Sequence, residues 1–351
     1  MKQNNFFFIL LKVFFFSSIL VTTSAVRAEL KVVTTIKPLH SLIANVMDGV
    51  GEPALIIEGS TSPHSFTLKP SHAKLLEEAD IIFWVGESIE TFMERPLESI
   101  VKNAEVVEFM EVESINKLKF REVSIFEDHD DHDNHDDHDD HDDHDDHDDN
   151  DDHDEHDDHD EHDDNDDHDE HDDHSGHDDH GHGHGEFDAH IWLDPMNAKE
   201  MVHEIAHELG NLDLANKNKY EANAQATIQA LDQLINDIEK GINKDAKFVV
   251  FHDAYQYFEE RFETRAAGAL TLNTDVLPGA KQIADIQDVI KDRGIKCIFS
   301  EPQFNPKIIT TIAEDMNIKT GVFDPLGANI DSNKDLYFKL IQNLGNELKG
   351  C

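Results

Sequence analysis

Ile81-Ile-Phe-Trp-Val85 is an uninterrupted apolar run between Asp80 and Gly86. A strand with one wet face alternates apolar and polar residues. A run without alternation belongs to a strand covered on both faces, as in a parallel sheet flanked by helices. The neighbouring segments fit that frame. Leu30 to Thr35 reads as a first strand. Pro38 to Met47 puts Leu39, Leu42, Ile43 and Val46 on one helical face and stops at Gly49. Ala54 to Ile57 is a short strand, and Pro70 opens a helix at its first turn. Ile89 to Val101 reads as helical and Val106 to Phe109 as a strand. Strand and helix in alternation imply parallel βαβ units.

A second series begins at Phe248-Val-Val-Phe251, with strands near Ala267 to Leu270, Ile295 to Phe299 and Thr320 to Phe323. Its helices fall near Ala254 to Phe262, Pro278 to Lys291, Pro306 to Met316 and Ser332 to Lys349. Between the two series lie helical stretches at about Pro195 to Gly210 and Asn216 to Lys240, the second without internal Gly or Pro. The fold class expected is α/β: two lobes, each a mostly parallel sheet flanked by helices, joined by one long helix. The first lobe takes residues 29–126 and 187–215, the linking helix 216–241 and the second lobe 242–351. Open α/β sheets collect ligands beyond the carboxyl ends of their strands.

The first lobe is interrupted by residues 127–186, which hold 18 of the 25 histidines and 34 of the 76 acidic residues, with no Lys or Arg. The histidines recur mostly every third residue: His129, His132, His135, His138, His141, His144, His147, His153, His156, His159, His162, His168, His171, His174, His177, His180, His182 and His184. Such a segment has no apolar surface to bury, so it is expected to be disordered. Repeated imidazoles among carboxylates offer many interchangeable metal chelates. A flexible chain of this length spans about 40–45 Å, enough to reach a nearby cleft. An auxiliary metal collector is the expected role.

The formal charge of -47 is therefore mostly local. Outside the segment, 42 acidic residues face 29 Lys and Arg. No basic stripe is available to neutralise phosphates, which argues against nucleic acid and suits a cation as ligand.

At the N-terminus, Lys2 precedes an apolar run from Phe6 to Val21, and Val26-Arg27-Ala28 supplies a small-residue cleavage site. Residues 1–28 read as a cleaved signal peptide, and the mature chain as exported and not membrane-spanning. Cys297 and Cys351 are an even pair in an exported chain, which favours a disulfide.

Seven histidines lie outside the insert. His40, His72, His203 and His207 fall on expected helices. The other three sit where an α/β cleft gathers ligands: His64 in the loop after the second strand, His190 beside an expected strand, and His252 directly after Phe251. Three neutral imidazoles and one oxygen make a good tetrahedral zinc site.

These words occur in a recognisable order: Pro63-His64-Ser-Phe-Thr-Leu-Lys-Pro70-Ser71, Ala79-Asp-Ile-Ile-Phe-Trp-Val-Gly86, Asp188-Ala-His190-Ile-Trp-Leu-Asp-Pro195-Met-Asn-Ala198, Phe251-His252-Asp253-Ala254-Tyr255, Ser300-Glu-Pro-Gln-Phe304 and Phe323-Asp324-Pro-Leu-Gly327. The chain resembles the periplasmic zinc-binding proteins of ABC importers, the ZnuA-type branch of the metal-specific solute-binding proteins. The resemblance covers nearly all of the mature chain, including a histidine-rich insertion ahead of the second metal histidine. It implies His64, His190 and His252 as Zn(II) ligands in an inter-lobe cleft, a periplasmic location, a membrane permease as partner and no catalysis; a monomer is expected. Manganese relatives carry an acidic residue in place of the third histidine, so His252 points to zinc. Some zinc relatives have a Glu just before the first histidine, where Pro63 stands here. Asp324 matches the position that closes the site, with water as its rival. The family's second-lobe disulfide fits Cys297 and Cys351, and its inter-lobe helix implies small closure movements.

One rival signal remains. His203-Glu-Ile-Ala-His207-Glu-Leu-Gly210-Asn-Leu-Asp213 satisfies the HExxH pattern of zinc proteases, with Glu204 as general base. Against it, Met201, Ile205, Leu209 and Leu212 form the stripe that must face a core, and both histidines lie away from that stripe. No Ser or Cys nucleophile with a base stands out, and no Gly-rich phosphate loop appears. An exported metal buffer with no permease is the other alternative. Deleting residues 128–184 is expected to lower the number of zinc ions bound per chain, counted by elemental analysis, and to leave the tightest binding event unchanged in a chelator competition.

Overall fold

The computed structural model describes residues 29–126, 186–272, 274 and 277–351. The signal-peptide reading of 1–28 and the reading of 127–185 as a disordered collector fall outside the described residues.

Among the described residues there are two four-stranded sheets, and every strand pair in them is parallel. The first has the order β2-β1-β3-β4, from β1 (Val32–Thr34), β2 (Ala54–Leu55), β3 (Ile81–Trp84) and β4 (Glu105–Glu108). The second has the order β6-β5-β7-β8, from β5 (Phe248–His252), β6 (Ala269–Thr271), β7 (Cys297–Ser300) and β8 (Lys319–Val322). β1, β3 and β5 are buried at every position, in keeping with sequences that are apolar apart from the terminal Thr34 and His252. In both sheets the chain leaves the first strand to one side and later returns to the other. The point of reversal lies between β1 and β3 in one lobe and between β5 and β7 in the other. Loops diverge there and leave a crevice at the carboxyl ends.

The helices flank these sheets. α1 (Lys37–Val46) buries the apolar face read from the sequence, and Pro38 occupies its first turn. α2 (Pro70–Glu78) begins at Pro70. The single helix expected over 89–101 is instead a 3₁₀ turn, Thr91–Met93, followed by the short α3 (Glu94–Ser99). Pro96 explains the difference: it has no N–H to donate, so it is tolerated only near a helix start and draws that start towards itself. The strand expected beside His190 is also replaced by a 3₁₀ turn, Ile191–Leu193. The Leu193 N–H closes that turn on the His190 carbonyl at 3.1 Å, and Asp194 then caps α4 (Pro195–Leu212) by accepting a hydrogen bond from the Met196 N–H at 2.8 Å.

The long helix α5 (Lys217–Glu239) packs on α1 and α4 and, further along, on α9 (Leu336–Lys349), which comes after α6 (Gln256–Phe262), α7 (Ala280–Asp292) and α8 (Lys307–Met316). The last helix thus returns to the first lobe. Ser41 on α1 donates to the Lys334 carbonyl at 2.9 Å and accepts from the Tyr337 N–H at 3.1 Å. Lys37, only 5% exposed, donates to the carbonyls of Gly327, Ala328 and Ile330 at 2.6, 3.1 and 2.6 Å. Gly327 has φ +68°, a conformation that suits glycine in this turn. One apolar cluster runs without a break through both lobes, and a second fills the outer side of the second sheet.

Cys297 on β7 and Cys351 at the chain end are disulfide-bonded, with Cα atoms 5.8 Å apart across a separation of 54 residues. The bond ties the residues after α9 to the second sheet. Replacing both cysteines by serine is expected to lower unfolding free energy by about 2–4 kcal/mol in denaturant titrations under oxidising conditions.

Candidate metal centre

His252 is the last residue of β5, at the reversal point of the second sheet. Glu301 follows β7, the strand beside it, and its two oxygens lie 2.7 and 2.8 Å from His252 Nδ1. The other ring nitrogen, Nε2, faces the first lobe and lies 3.3 Å from His190 Nε2. His190 is aimed the same way. Asp188 Oδ1 sits 2.7 Å from its Nδ1 and accepts its backbone N–H at 2.9 Å. Each carboxylate therefore grips one nitrogen and leaves the other pointing into the crevice. This is the arrangement by which an outer acid fixes the tautomer and orientation of a metal-binding imidazole.

His64 completes the set from a 3₁₀ turn, Pro63–Ser65, in the first lobe. Its ring centre is 5.6 Å from that of His190 and 5.9 Å from that of His252, while His190 and His252 are 5.2 Å apart. One nitrogen from each ring falls within 4.8 Å of the other two. The cavity they line, with Ile89, Trp192, Phe304 and Leu326 among its walls, has a volume of about 10 Å³ for the centre of a water-sized sphere. That is room for one water or one ion. The imidazoles come from both lobes, and the apolar walls keep bulk water away.

Burial alone would lower the pKa of His252. The charge and hydrogen bond of Glu301, helped by the charges of Asp253 and Asp188, outweigh it and hold that pKa above the ordinary 6.5.

Asp324 does not join this group. Its Oδ1 accepts from Gln303 Nε2 at 3.0 Å and from the N–H groups of Leu326 and Gly327 at 3.2 and 3.0 Å, and its Oδ2 accepts from the Ala328 N–H at 2.6 Å. The carboxylate caps a tight turn whose N–H groups converge on it, which differs from the closing-ligand role expected for it. The carboxylates that do approach the imidazoles are Glu301 and Asp188. Sequence reasoning assigned them no role, although both lie in the quoted words. An acid two residues before one histidine, and another directly after the strand that pairs with the other histidine's strand, are signals once the topology is known.

The remaining described histidines have other occupations. His40 is buried with Nε2 3.1 Å from the Pro53 carbonyl. His72 accepts from the Lys69 N–H at 3.2 Å at the start of α2 and stacks on Phe66. His203 and His207 are exposed on the outer face of α4, whose core face carries Met201, Val202, Ile205 and Leu209. The 18 histidines of the insert lie outside the described residues.

The lobes are fastened on both sides of the cavity. Trp192, two residues after His190, donates to the Pro325 carbonyl at 2.7 Å, and Tyr337 donates to the Trp192 carbonyl at 2.7 Å. Arg261 forms a two-point pair with Asp194 at 2.7 and 2.8 Å. Arg121 reaches both Asp253 and Glu259, at 2.8 and 2.7 Å.

A family model described as "Zinc-uptake complex component A periplasmic" matches residues 32–351. The chain is 46% identical over 322 residues to the high-affinity zinc uptake system protein ZnuA of Brucella abortus, covering 91% of each chain. A crystal structure of ZnuA shares the fold with a TM-score of 0.65 at 19% identity, covering 91% of this chain and 98% of that one. FpvC of Pseudomonas aeruginosa in complex with Mn2+ shares it with a TM-score of 0.66 at 18% identity, over 92% and 99%. With a family model spanning both lobes and a relative at this level of identity, the chain belongs to the ZnuA family of periplasmic zinc-uptake components.

Proposed function

We propose that this protein captures Zn(II) between its lobes with His64, His190 and His252 and delivers it to the membrane permease of a zinc ABC importer. The observation that carries this reading is the convergence of three imidazoles, drawn from both lobes, on a cavity sized for one ion. Three nitrogens and one oxygen suit tetrahedral zinc, whereas a manganese site favours carboxylates. The fold does not select the metal, because a manganese-bound neighbour shares it; the ligand set does. Water is the proposed fourth ligand, since the Asp324 oxygens are taken by four hydrogen bonds. The permease reads the loaded protein through lobe position, which the metal biases by holding ligands from both lobes. The ties across the interface and the shared apolar cluster favour a small closure. The residue spans 29–126 with 187–215, 216–241 and 242–351 remain the proposed division into lobe, linking helix and lobe. The reading is capture and delivery in the periplasm, with no chemical step. The HExxH alternative is disfavoured because His203 and His207 stand on an exposed helix face remote from the cavity.

His252→Ala is expected to weaken zinc binding by at least a hundredfold in competition with a fluorescent chelator, and an unchanged affinity would remove the site. Glu301→Gln tests the aiming carboxylate. It is expected to cost about 10–100-fold in zinc affinity. It also tests proton competition. Zinc requires neutral His252, whose raised pKa lets protons compete from above pH 6.5, so affinity falls as pH drops through that region. Without the Glu301 charge, the onset of that fall should move to lower pH.

A further inference from the structure

We propose that Glu204, His207 and Glu208 on the outer face of α4 form a second, solvent-facing site for one divalent transition-metal cation, separate from the buried imidazole cluster. Glu204 is three residues from His207 and four from Glu208, spacings that bring its side chain alongside each of theirs on the helix surface; His207 and Glu208, adjacent in sequence, meet by side-chain contact. Each offers a ligand atom within 4.8 Å of the other two, the one such grouping among the described residues apart from the buried cluster. The arrangement is already aimed. His207 Nδ1 lies 2.8 Å from Glu208 Oε1, and Nε2 lies 3.3 Å from Asn211 Nδ2. A cation seated between imidazole and carboxylate replaces the proton they share. The opposite ring nitrogen then donates to the Asn211 side chain, whose amide turns to present its oxygen. The His207 side chain is 61% exposed and that of Glu208 20%, so water can complete the coordination shell.

The chemistry differs from that of the buried site. One nitrogen and two carboxylates on an open face make a weaker, faster-exchanging site than three enclosed imidazoles. His207 is twelve helical steps from Pro195, so the site lies about 18 Å along α4 from the helix start, which follows the turn next to His190. It can therefore fill independently of the cavity. It also accounts for two of the three defining residues of the HExxH pattern: Glu204 and His207 participate and His203 does not.

The test must resolve single histidines, because the insert binds zinc as well. Carbethoxylation of the full chain at constant pH, read residue by residue by mass spectrometry, meets that need, and His203 in the same helix is the internal reference. With zinc sulfate added beyond saturation of the buried site, His207 is expected to be protected while His203 reacts at its metal-free rate. Glu204→Gln and Glu208→Gln, each alone, should raise the zinc concentration for half-protection about tenfold. An unchanged His203 rate in each variant verifies that the helix is intact. Equal protection of both histidines, protection of neither, or protection that survives both substitutions would overturn the proposal, the last outcome meaning a lone imidazole with an adventitious ion only.

Discussion

A buried imidazole held by a buried carboxylate is the contact on which the metal centre rests. His252 and Glu301 are 4% and 3% exposed, and the pair is locked at 2.7 Å. Neither group would be tolerated alone in that environment, since an isolated buried charge or unpaired polar atom costs several kcal/mol. Together they satisfy each other and leave one nitrogen lone pair directed into the cavity. Asp188 does the same for His190 from the opposite lobe. The two acids come from different lobes, so the cavity keeps its shape only while the lobes keep their relative position.

That position is fixed by features with no role in metal chemistry. Lys37 reads three carbonyls of the 327–330 turn, and Asp324 gathers the N–H groups of the same turn from the other side. Burial lowers the Lys37 pKa, and the charges of Asp324 and Asp331 oppose that effect. The turn is thus held between a cation and an anion, and it places Pro325 where Trp192 can donate to it. A chain of contacts runs from α1, through this turn, to the residue beside His190. It gives the cleft a definite width, suited to a small ion.

Much of this was legible in the sequence because apolar periodicity and strand order are local properties. The runs at Ile81 and Phe248 announced strands covered on both faces, and His252 at the end of one of them stood where parallel sheets bind ligands. What was not legible depended on pairing. Glu301 acquires meaning only when β7 lies beside β5, and nothing in a linear reading says which strand is the neighbour. The matched family words brought Asp324 forward as a ligand, but its actual partners are the N–H groups of its own turn. The 89–101 segment was read by its apolar spacing, and Pro96 overrode that spacing. The Glu204–His207–Glu208 grouping was hidden inside a familiar protease pattern, whose second histidine belongs to it and whose first does not.

The return of α9 to α1 has a temporal meaning. Among the described helices α1 comes first and α9 last. The two pack against each other, and the buried face of α9 includes Leu336, Leu340 and Leu344, so that side of α1 stays uncovered until α9 has been made. The leading half of the molecule must therefore wait for its trailing edge. A chain stopped before residue 336 would leave that apolar face of α1 open to water. Maturation closes like a clasp, and the disulfide at Cys351 fastens it.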